Sequence, residues 1–432
     1  MLRKSLCILL FIPLITHAQE NLSLQDAIAA TLKNNYSILI AGNDAAIARN
    51  DNAPGNAGML PSLDAVAGIN QTESNLKQNY TDGRVIDRTN VGNTSTSAGV
   101  DLNWTLFDGL KMFVTKSKLA EIEARGMIAY KLEIENTVQQ VIAAYFNVTQ
   151  MQKLIEATKL IIGIDSERVV LAEIRLGVGS GSRLDLLQGK VDLNEQLSIM
   201  MKQRATLEES KDKLNYLLSR KPGTDFSVSD SIVITYQPSA ESLRNSVQQN
   251  NFSILAGQRD QRISVLGMKE MKTLRSPVIG FSGGYNYAKT KSEAGFLLLN
   301  QSAGYNYGLS LRWNLFNGFN VNRQVKNARI DVESSGFRLK DLQLQVSTQL
   351  EKALREFNNN ISMLALEQEN ILLAKENMDV AYERFRSGLS NSIELKNAQS
   401  SFPNAESRLV QVQYAAKMSE TELMRLDGEL VK

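Results

Sequence analysis

The sequence predicts a mainly α-helical chain with a transmembrane β part, built from one helix, strand-pair and hairpin unit written twice. Three observations predict it: anchor motifs that recur at fixed shifts, strands that alternate strictly between apolar and small polar residues, and proline-free helical stretches too long for a compact domain.

The duplication sets the frame. Asn34-Asn35-Tyr36-Ser37-Ile38-Leu39 recurs as Asn250-Asn251-Phe252-Ser253-Ile254-Leu255, a shift of 216, and Pro61 recurs as Pro277 at the same shift. Downstream the shift is 209: Leu102-Asn103-Trp104-Thr105-Leu106-Phe107-Asp108-Gly109 matches Leu311-Arg312-Trp313-Asn314-Leu315-Phe316-Asn317-Gly318, and Arg175 to Gly179 matches Arg384 to Gly388. The seven residues of difference lie between the proline and the tryptophan, where an exposed loop is expected to absorb them. The first copy covers 19–220 and the second 241–432. Between them, 221–240 reads as a linker with one short strand candidate, Ile232 to Tyr236.

Each copy carries a strand pair, at about 62–107 and about 278–316. From Ser302 to Leu315 the residues alternate without a break, with Ala303, Tyr305, Tyr307, Leu309, Leu311, Trp313 and Leu315 on one face. Ser97 to Leu106 alternates in the same way, and Ile279, Phe281, Tyr285 and Tyr287 mark a weaker strand after Pro277. Leu63 to Asn70 is ambiguous. A bilayer-spanning strand needs about 9–11 residues, which these segments supply, and Trp104 and Trp313 suit membrane-interface anchors. Open strand edges in hydrocarbon leave backbone groups unsatisfied at several kcal/mol each, so insertion requires protomers to pool strands. Strand counting does not choose between two, three or four subunits.

Outside the strands, Leu110 to Leu176 has no proline and is rich in Ala, Glu, Lys, Leu and Gln. At 1.5 Å per residue that stretch reaches roughly 100 Å as a continuous helix, the scale of a tunnel or coiled coil. Gly177-Val178-Gly179-Ser180-Gly181-Ser182 and Ser387-Gly388-Leu389-Ser390-Asn391 break the helices, with glycine to end one and Ser or Asn to cap the next. The first lacks the preceding strand and the Gly-Lys-Ser/Thr ending of a phosphate loop. Pro403 falls inside the last predicted helix, where it is expected to kink or interrupt the backbone.

The first residues bound the chemistry. Arg3 and Lys4 precede an apolar run from Leu6 to Ile15, then Thr16-His17-Ala18 and polar Gln19. This reads as a secretory signal, residues 1–18, cut after Ala18. Cys7 stands too near the start to be a lipoprotein cysteine. Cleavage would remove Cys7 and His17, the single cysteine and histidine of the chain, and with them thiol and Ser–His catalysis, thiolate or imidazole metal sites and disulfides. Carboxylate-only hydrolysis remains chemically open, but no acids cluster outside helical faces, so neither an enzyme nor a cofactor or metal is expected. Without Arg3 and Lys4 the 48 basic residues become 46 against 46 acidic ones, a balance that disfavours nucleic-acid binding. A periplasmic coiled-coil scaffold or adaptor without a pore is the alternative to a channel; it should show compact β-rich modules, and only strand pairs are found.

These features resemble TolC-like outer-membrane factors of efflux pumps and type I secretion systems. The resemblance rests on Ser23-Leu24-Gln25-Asp26-Ala27, the paired Trp-x-Leu-Phe-x-Gly, and the paired Arg-x-x-x-Gly tips, each followed six residues on by an acid, Asp185 and Glu394. It implies an outer-membrane homotrimer reaching into the periplasm, with four strands per subunit in a twelve-stranded β-barrel continued by a periplasmic α-helical barrel. It further implies passive conduction, with a periplasmic adaptor (membrane fusion) protein and an inner-membrane pump as partners. Carried over by position, the tip and docking residues are Arg175, Gly179, Arg384 and Gly388. Pore-constriction candidates are Asp185, Glu394, Asn397 and Phe385; Asn397 stands where the family often has a second acid, which implies a weaker cation preference. Phe385 and Ser390 occupy the positions of a tyrosine–arginine latch and cannot make its bonds.

Overall fold

The computed structural model describes residues 20–236, 239–294 and 297–431; the expected signal segment lies outside the described residues. In order the chain forms β1 (Glu20–Leu22), α1 (Leu24–Asn34), α2 (Tyr36–Asp51), β2 (Ser62–Asn79), β3 (Val85–Phe107), α3 (Lys111–Gly177) and α4 (Arg183–Leu217). It continues through β4 (Phe226–Val228), α5 (Ala240–Asn250), α6 (Phe252–Thr273), β5 (Val278–Ser292), β6 (Leu299–Arg312), α7 (Asn320–Arg386) and α8 (Ser392–Leu426). The copies match in length: α3 and α7 are 67 residues each, α4 and α8 are 35 each.

The chain divides into two units. The first takes Met1–Ile40, Leu132–Asn251 and Val346–Lys432. Its main core gathers Leu22, Ala27, Val138, Val141, Tyr145, Phe146, Leu214, Leu218 and Phe226. The Tyr145 hydroxyl sits 2.9 Å from the Leu22 carbonyl and 2.8 Å from the Asp230 carboxylate, satisfying its one polar atom. Duplicated caps close the helix ends. Asn35 donates from Nδ2 to the Leu217 carbonyl (2.8 Å), and its counterpart Asn251 donates to the Leu426 carbonyl (3.0 Å).

The linker differs from expectation. Ile232 to Tyr236 forms no strand; Phe226–Val228 pairs in parallel with Glu20–Leu22 instead. The 232–236 backbone finds its partners in a side chain, with the Thr235 and Tyr236 amides donating to Glu420 Oε1 at 2.9 and 2.7 Å. Pro403 does not interrupt α8. Flanking Phe402 and Ala405 are buried, and that packing holds the helix together across the missing hydrogen bond.

The second unit takes Ala41–Lys131 and Phe252–Gln345. Its sheet is antiparallel in the order β2-β3-β5-β6, so the pairing of β3 with β5 joins the copies and β2 and β6 are left as edges. The seven extra residues of the first copy lie in strands rather than in a loop. β2 and β3 are 18 and 23 residues long against 15 and 14 for β5 and β6, and the Tyr80–Arg84 turn is short. Extra ladder hydrogen bonds satisfy those backbone groups. The alternating segment also ends sooner than its pattern, since β6 stops at Arg312. Beyond it the chain turns through Gly318 and Phe319 at φ 65° and 61°, as Gly109 and Leu110 do at 73° and 70°.

Candidate functional site: the membrane-facing sheet and the hairpin tips

Register makes one face of the sheet apolar across all four strands. Leu63 faces Leu102, which faces Gly283 and then Tyr307; Ala65, Val100, Tyr285 and Tyr305 form the next row. This settles Leu63 to Asn70, whose odd-numbered residues join the apolar face. The opposite face carries Asp64, Asp101, Asn103, Asn286, Asn306 and Ser282 among glycines. In the edge strand the apolar side chains have no cover: Tyr305 and Tyr307 are 84% and 83% exposed, Leu309 72%. A surface of that size on a water-facing sheet is unfavourable. A surface apolar on one side and small and polar on the other suits a wall between lipid and a wet lumen. Among the described residues no helix is long and apolar enough to cross a membrane.

Both tryptophans stand where strands meet the helical part, and both are half exposed. Trp104 donates from its indole nitrogen to the Met59 carbonyl (3.0 Å), and Trp313 to the Arg275 carbonyl (3.1 Å). Arg275 is the repeat equivalent of Met59. Each ring therefore fixes the segment that leads into its strand pair, with an apolar body and a hydrogen-bonded tip.

At the other functional region, in the first unit, two hairpin tips repeat one backbone design. Gly179 and Gly388 adopt φ 74° and 73°, a left-handed C-cap that favours glycine. The Ser180 amide donates to the Arg175 carbonyl (2.9 Å), the Leu389 amide to the Arg384 carbonyl (2.8 Å). Ser182 Oγ then caps α4 and Asn391 Oδ1 caps α8. Val178, Leu184, Leu389 and Ile393 remain exposed around the turns.

The repeat-equivalent arginines do different work. Arg175 crosses from the first hairpin to the second, donating to the Phe385 carbonyl (3.1 Å) with its guanidinium 5.1 Å from the Phe385 ring centre. A cation there meets the carbonyl end of α7. Arg384 stays within its hairpin and pairs with Glu394 at 3.2 Å, both half exposed. Glu394 and Asn397 lie one turn apart on the exposed face of α8, and Asp185 is exposed in the first turn of α4. Phe385 differs from its assignment to a constriction. It is 7% exposed and packs with Ala381, Leu395 and Ala398 inside the protomer, because its ring fills the gap between the two hairpins.

Sequence reasoning missed a buried polar cluster above the tips. Asp165 and Arg168 of α3, Asp192 of α4 and Gln399 of α8 are all nearly inaccessible. Arg168 bonds Asp192 and donates to Gln399 Oε1 (3.2 Å), Gln399 donates to Asp165 Oδ1 (3.2 Å), and Lys396 reaches Asp192 Oδ1 at 2.6 Å. Burial pushes the Asp165 carboxyl up despite the neighbouring Arg168. Burial also acts on Asp192, but the hydrogen bonds from Lys396 and Arg168 outweigh it and hold that carboxyl below its usual range. Nearby, the Tyr382 hydroxyl bonds Glu167 across the hairpins. The legible signal is charged residues recurring on the inward face of a long helix. Among the described residues no three His, Cys, Asp or Glu side chains come together to hold a metal ion.

Comparison with known proteins matches this arrangement. The family model described as outer membrane efflux protein matches residues 27–218 and 242–429, one segment in each copy. The outer membrane efflux protein BepC of Brucella suis is 20% identical over 340 residues, covering 78% of this chain and 73% of that protein. The outer membrane protein TolC of Escherichia coli is 20% identical over 355 residues, covering 80% and 71%. Among solved structures, the CmeC outer membrane channel of Campylobacter jejuni superposes with a TM-score of 0.79 at 14% identity, over 94% of this chain and 86% of that one. The open-state MtrE outer membrane channel of Neisseria gonorrhoeae gives 0.75 at 15%, over 94% and 89%. With both of its copies matched, this chain belongs to the outer membrane efflux protein family and is an outer-membrane channel protein.

Proposed function

We propose that three copies of this chain close their sheets into one twelve-stranded barrel, with β6 of each subunit pairing with β2 of the next, and that their helices continue it as a periplasmic tunnel. The observation that carries the reading is the sheet itself, apolar across one face, polar across the other, and open at both edges. Four strands cannot satisfy their edges in lipid, and closure with sister copies leaves no edge. Trp104 and Trp313 sit at the periplasmic rim as interface anchors.

Substrate delivered by an inner-membrane pump through a periplasmic adaptor passes along the lumen, and the channel supplies only the path and a gate. The docking surface is the pair of turns at Gly179 and Gly388 with exposed Val178, Leu184, Leu389 and Ile393 around them; Arg175 and Arg384 hold those turns in place. Glu394, Asn397 and Asp185 line the narrow end, where one carboxylate per subunit on α8 gives a mild cation preference. The purified oligomer is expected to have the mass of three subunits in detergent and to give ion-conducting steps in a planar bilayer. A water-soluble monomer with no conductance refutes the proposal.

A further inference from the structure

We propose that the sheet-to-helix junction of the second copy is a binding site for an anionic phospholipid of the surrounding membrane. Arg275, flanked by Lys272 and Arg323, takes the phosphate, and the acyl chains lie on Trp313, Leu315, Phe316 and Phe319. The site rests on the chain's place in the outer membrane and not on the number of subunits.

A cavity of about 300 Å³ opens at this junction, with Leu274, Arg275, Trp313, Leu315, Phe316 and Phe319 in its lining. Its apolar walls have little cover within the chain: Leu315 is 80% exposed, Phe316 72% and Phe319 68%. Phe316 and Phe319 stand edge to face with ring centres 5.4 Å apart. Leu309 and Leu311 of the apolar sheet face lead directly into Trp313. Phe319 sits on a left-handed backbone at φ 61°, a conformation that disfavours a bulky residue. Little packing within the chain offsets that strain, whereas apolar contact from lipid would.

Charge points to the sign of the headgroup. Residues 271–275 and 312–330 contain Lys272, Arg275, Arg312, Arg323, Lys326 and Arg329 and no acid. Among the described residues none of the six forms a salt bridge, and Arg275 uses Nη2 on Asn322 Oδ1 at 3.0 Å. A guanidinium carries five N–H groups in a fork that matches a phosphate, so Arg275 has donors to spare. The first copy serves as an internal control. At the repeat shifts, Lys272, Arg275, Arg323 and Lys326 correspond to Asn56, Met59, Val114 and Ser117, while Lys116 and Lys118 are engaged by Asn52 and Glu270. The same turn is thus built without these cations, and the backbone does not require them. Arg323 lies roughly 5 Å along α7 from Asn320, within the depth of a headgroup layer when Trp313 marks the hydrocarbon edge.

Native mass spectrometry of the purified detergent-solubilised oligomer tests the site with two lipids of identical acyl chains, dioleoyl-phosphatidylglycerol and dioleoyl-phosphatidylethanolamine. Wild type should retain the anionic lipid about tenfold better, and Arg275→Met should cut that preference about fivefold, the effect of one cation at an anionic surface. Arg275→Lys should keep most of it. Arg312→Met, next to Trp313 in sequence but on the polar face, should leave it unchanged, and Phe316→Ala should weaken both lipids alike. Equal retention of the two lipids, or a preference indifferent to Arg275→Met, overturns the proposal. Inorganic phosphate that competes at the lipid's own concentration would reveal a free-anion site and overturn it as well. Should Arg275→Met fail to assemble, a photoactivatable phosphatidylglycerol on wild type decides. Label within 272–275 and 313–326 supports the site; its absence there, as when a neighbouring subunit covers the junction, overturns it. A complex of other than three subunits would change the number of lipids bound but not the preference, and so would reject the proposed ring alone.

Discussion

Replacing Glu135 with Gln should remove that residue's own contribution to the pH dependence of stability in the first unit between pH 5 and 8. Glu135 lies on α3 and is 1% exposed, and among the described residues its Oε1 has no hydrogen-bond partner. The cation facing it from α8, Arg425, is already engaged by Glu422 through bonds of 2.8 and 2.7 Å, and Glu422 also accepts from Gln139 at 2.8 Å. Burial, with Glu422 adding to it and Arg425 opposing it, lifts the Glu135 carboxyl from 4.5 to about 7. The folded value exceeds the unfolded one, so the contribution is complete below about 4.5 and is lost as pH rises through about 7. That displacement corresponds to roughly 3 kcal/mol per protomer as an upper figure. With an unfolding entropy of roughly 2 cal/mol/K per residue, it becomes about 3 °C in melting midpoint for a chain of this length. Helical circular dichroism of the detergent-solubilised protein reads it: the Gln variant should melt with wild type at pH 5 and about 3 °C above it at pH 8. Two curves separated by a constant offset from pH 5 to 8 would refute the reasoning.

Three further outcomes follow from single contacts. Glu394→Gln should shift the reversal potential in a salt gradient toward zero selectivity while leaving the melt unchanged, since its half-exposed pair with Arg384 contributes about 1 kcal/mol or less; an unchanged reversal potential counts against the constriction. Trp104→Phe and Trp313→Phe each lose one indole hydrogen bond, about 1 kcal/mol, and as repeat equivalents should lower the heat resistance of the oligomer on gels by similar amounts. Gly284→Val should impair assembly on the same gels, because a Cβ there meets the Val100 backbone carbonyl oxygen at 2.9 Å, whereas Gly304→Ala, with nothing among the described residues within 4 Å, should assemble normally.

Much of this fold was legible because the signals are periodic and occur twice. Tyr305, Tyr307, Leu309 and Leu311 announce a strand with one apolar face at any register, and an unbroken Ala- and Glu-rich stretch announces α3. Features set by tertiary partners were less accessible. Ile232 to Tyr236 has the composition of a strand, yet Glu420, nearly two hundred positions away, satisfies its amides. Pro403 reads as a break until Phe402 and Ala405 are seen to be buried. At the tips, Gly179 and Gly388 could be placed by backbone need, but the same residue type hides opposite duties in Arg175 and Arg384. Nothing local in the sequence tells a cross-hairpin contact from one within a hairpin.

What the two copies kept and what they changed follows from the same physics. Conserved between them are the parts a backbone cannot do without: left-handed glycines at 109 and 318 and at 179 and 388, the Asn35 and Asn251 caps, and the two indole bonds. Each of these acts within its own copy or at the junction both copies share. Helix faces diverged because their neighbours differ. A first-copy face must fit a second-copy face, and two identical faces would oppose like charges wherever one of them carries an ion. Asp165, Arg168 and Asp192 meeting Lys396 and Gln399 is such a complementary pair. Had the second copy kept the first copy's residues, Leu and Lys would stand at 396 and 399; Asp192 would lose the cation it now bonds and Arg168 would meet a second cation in place of Gln399.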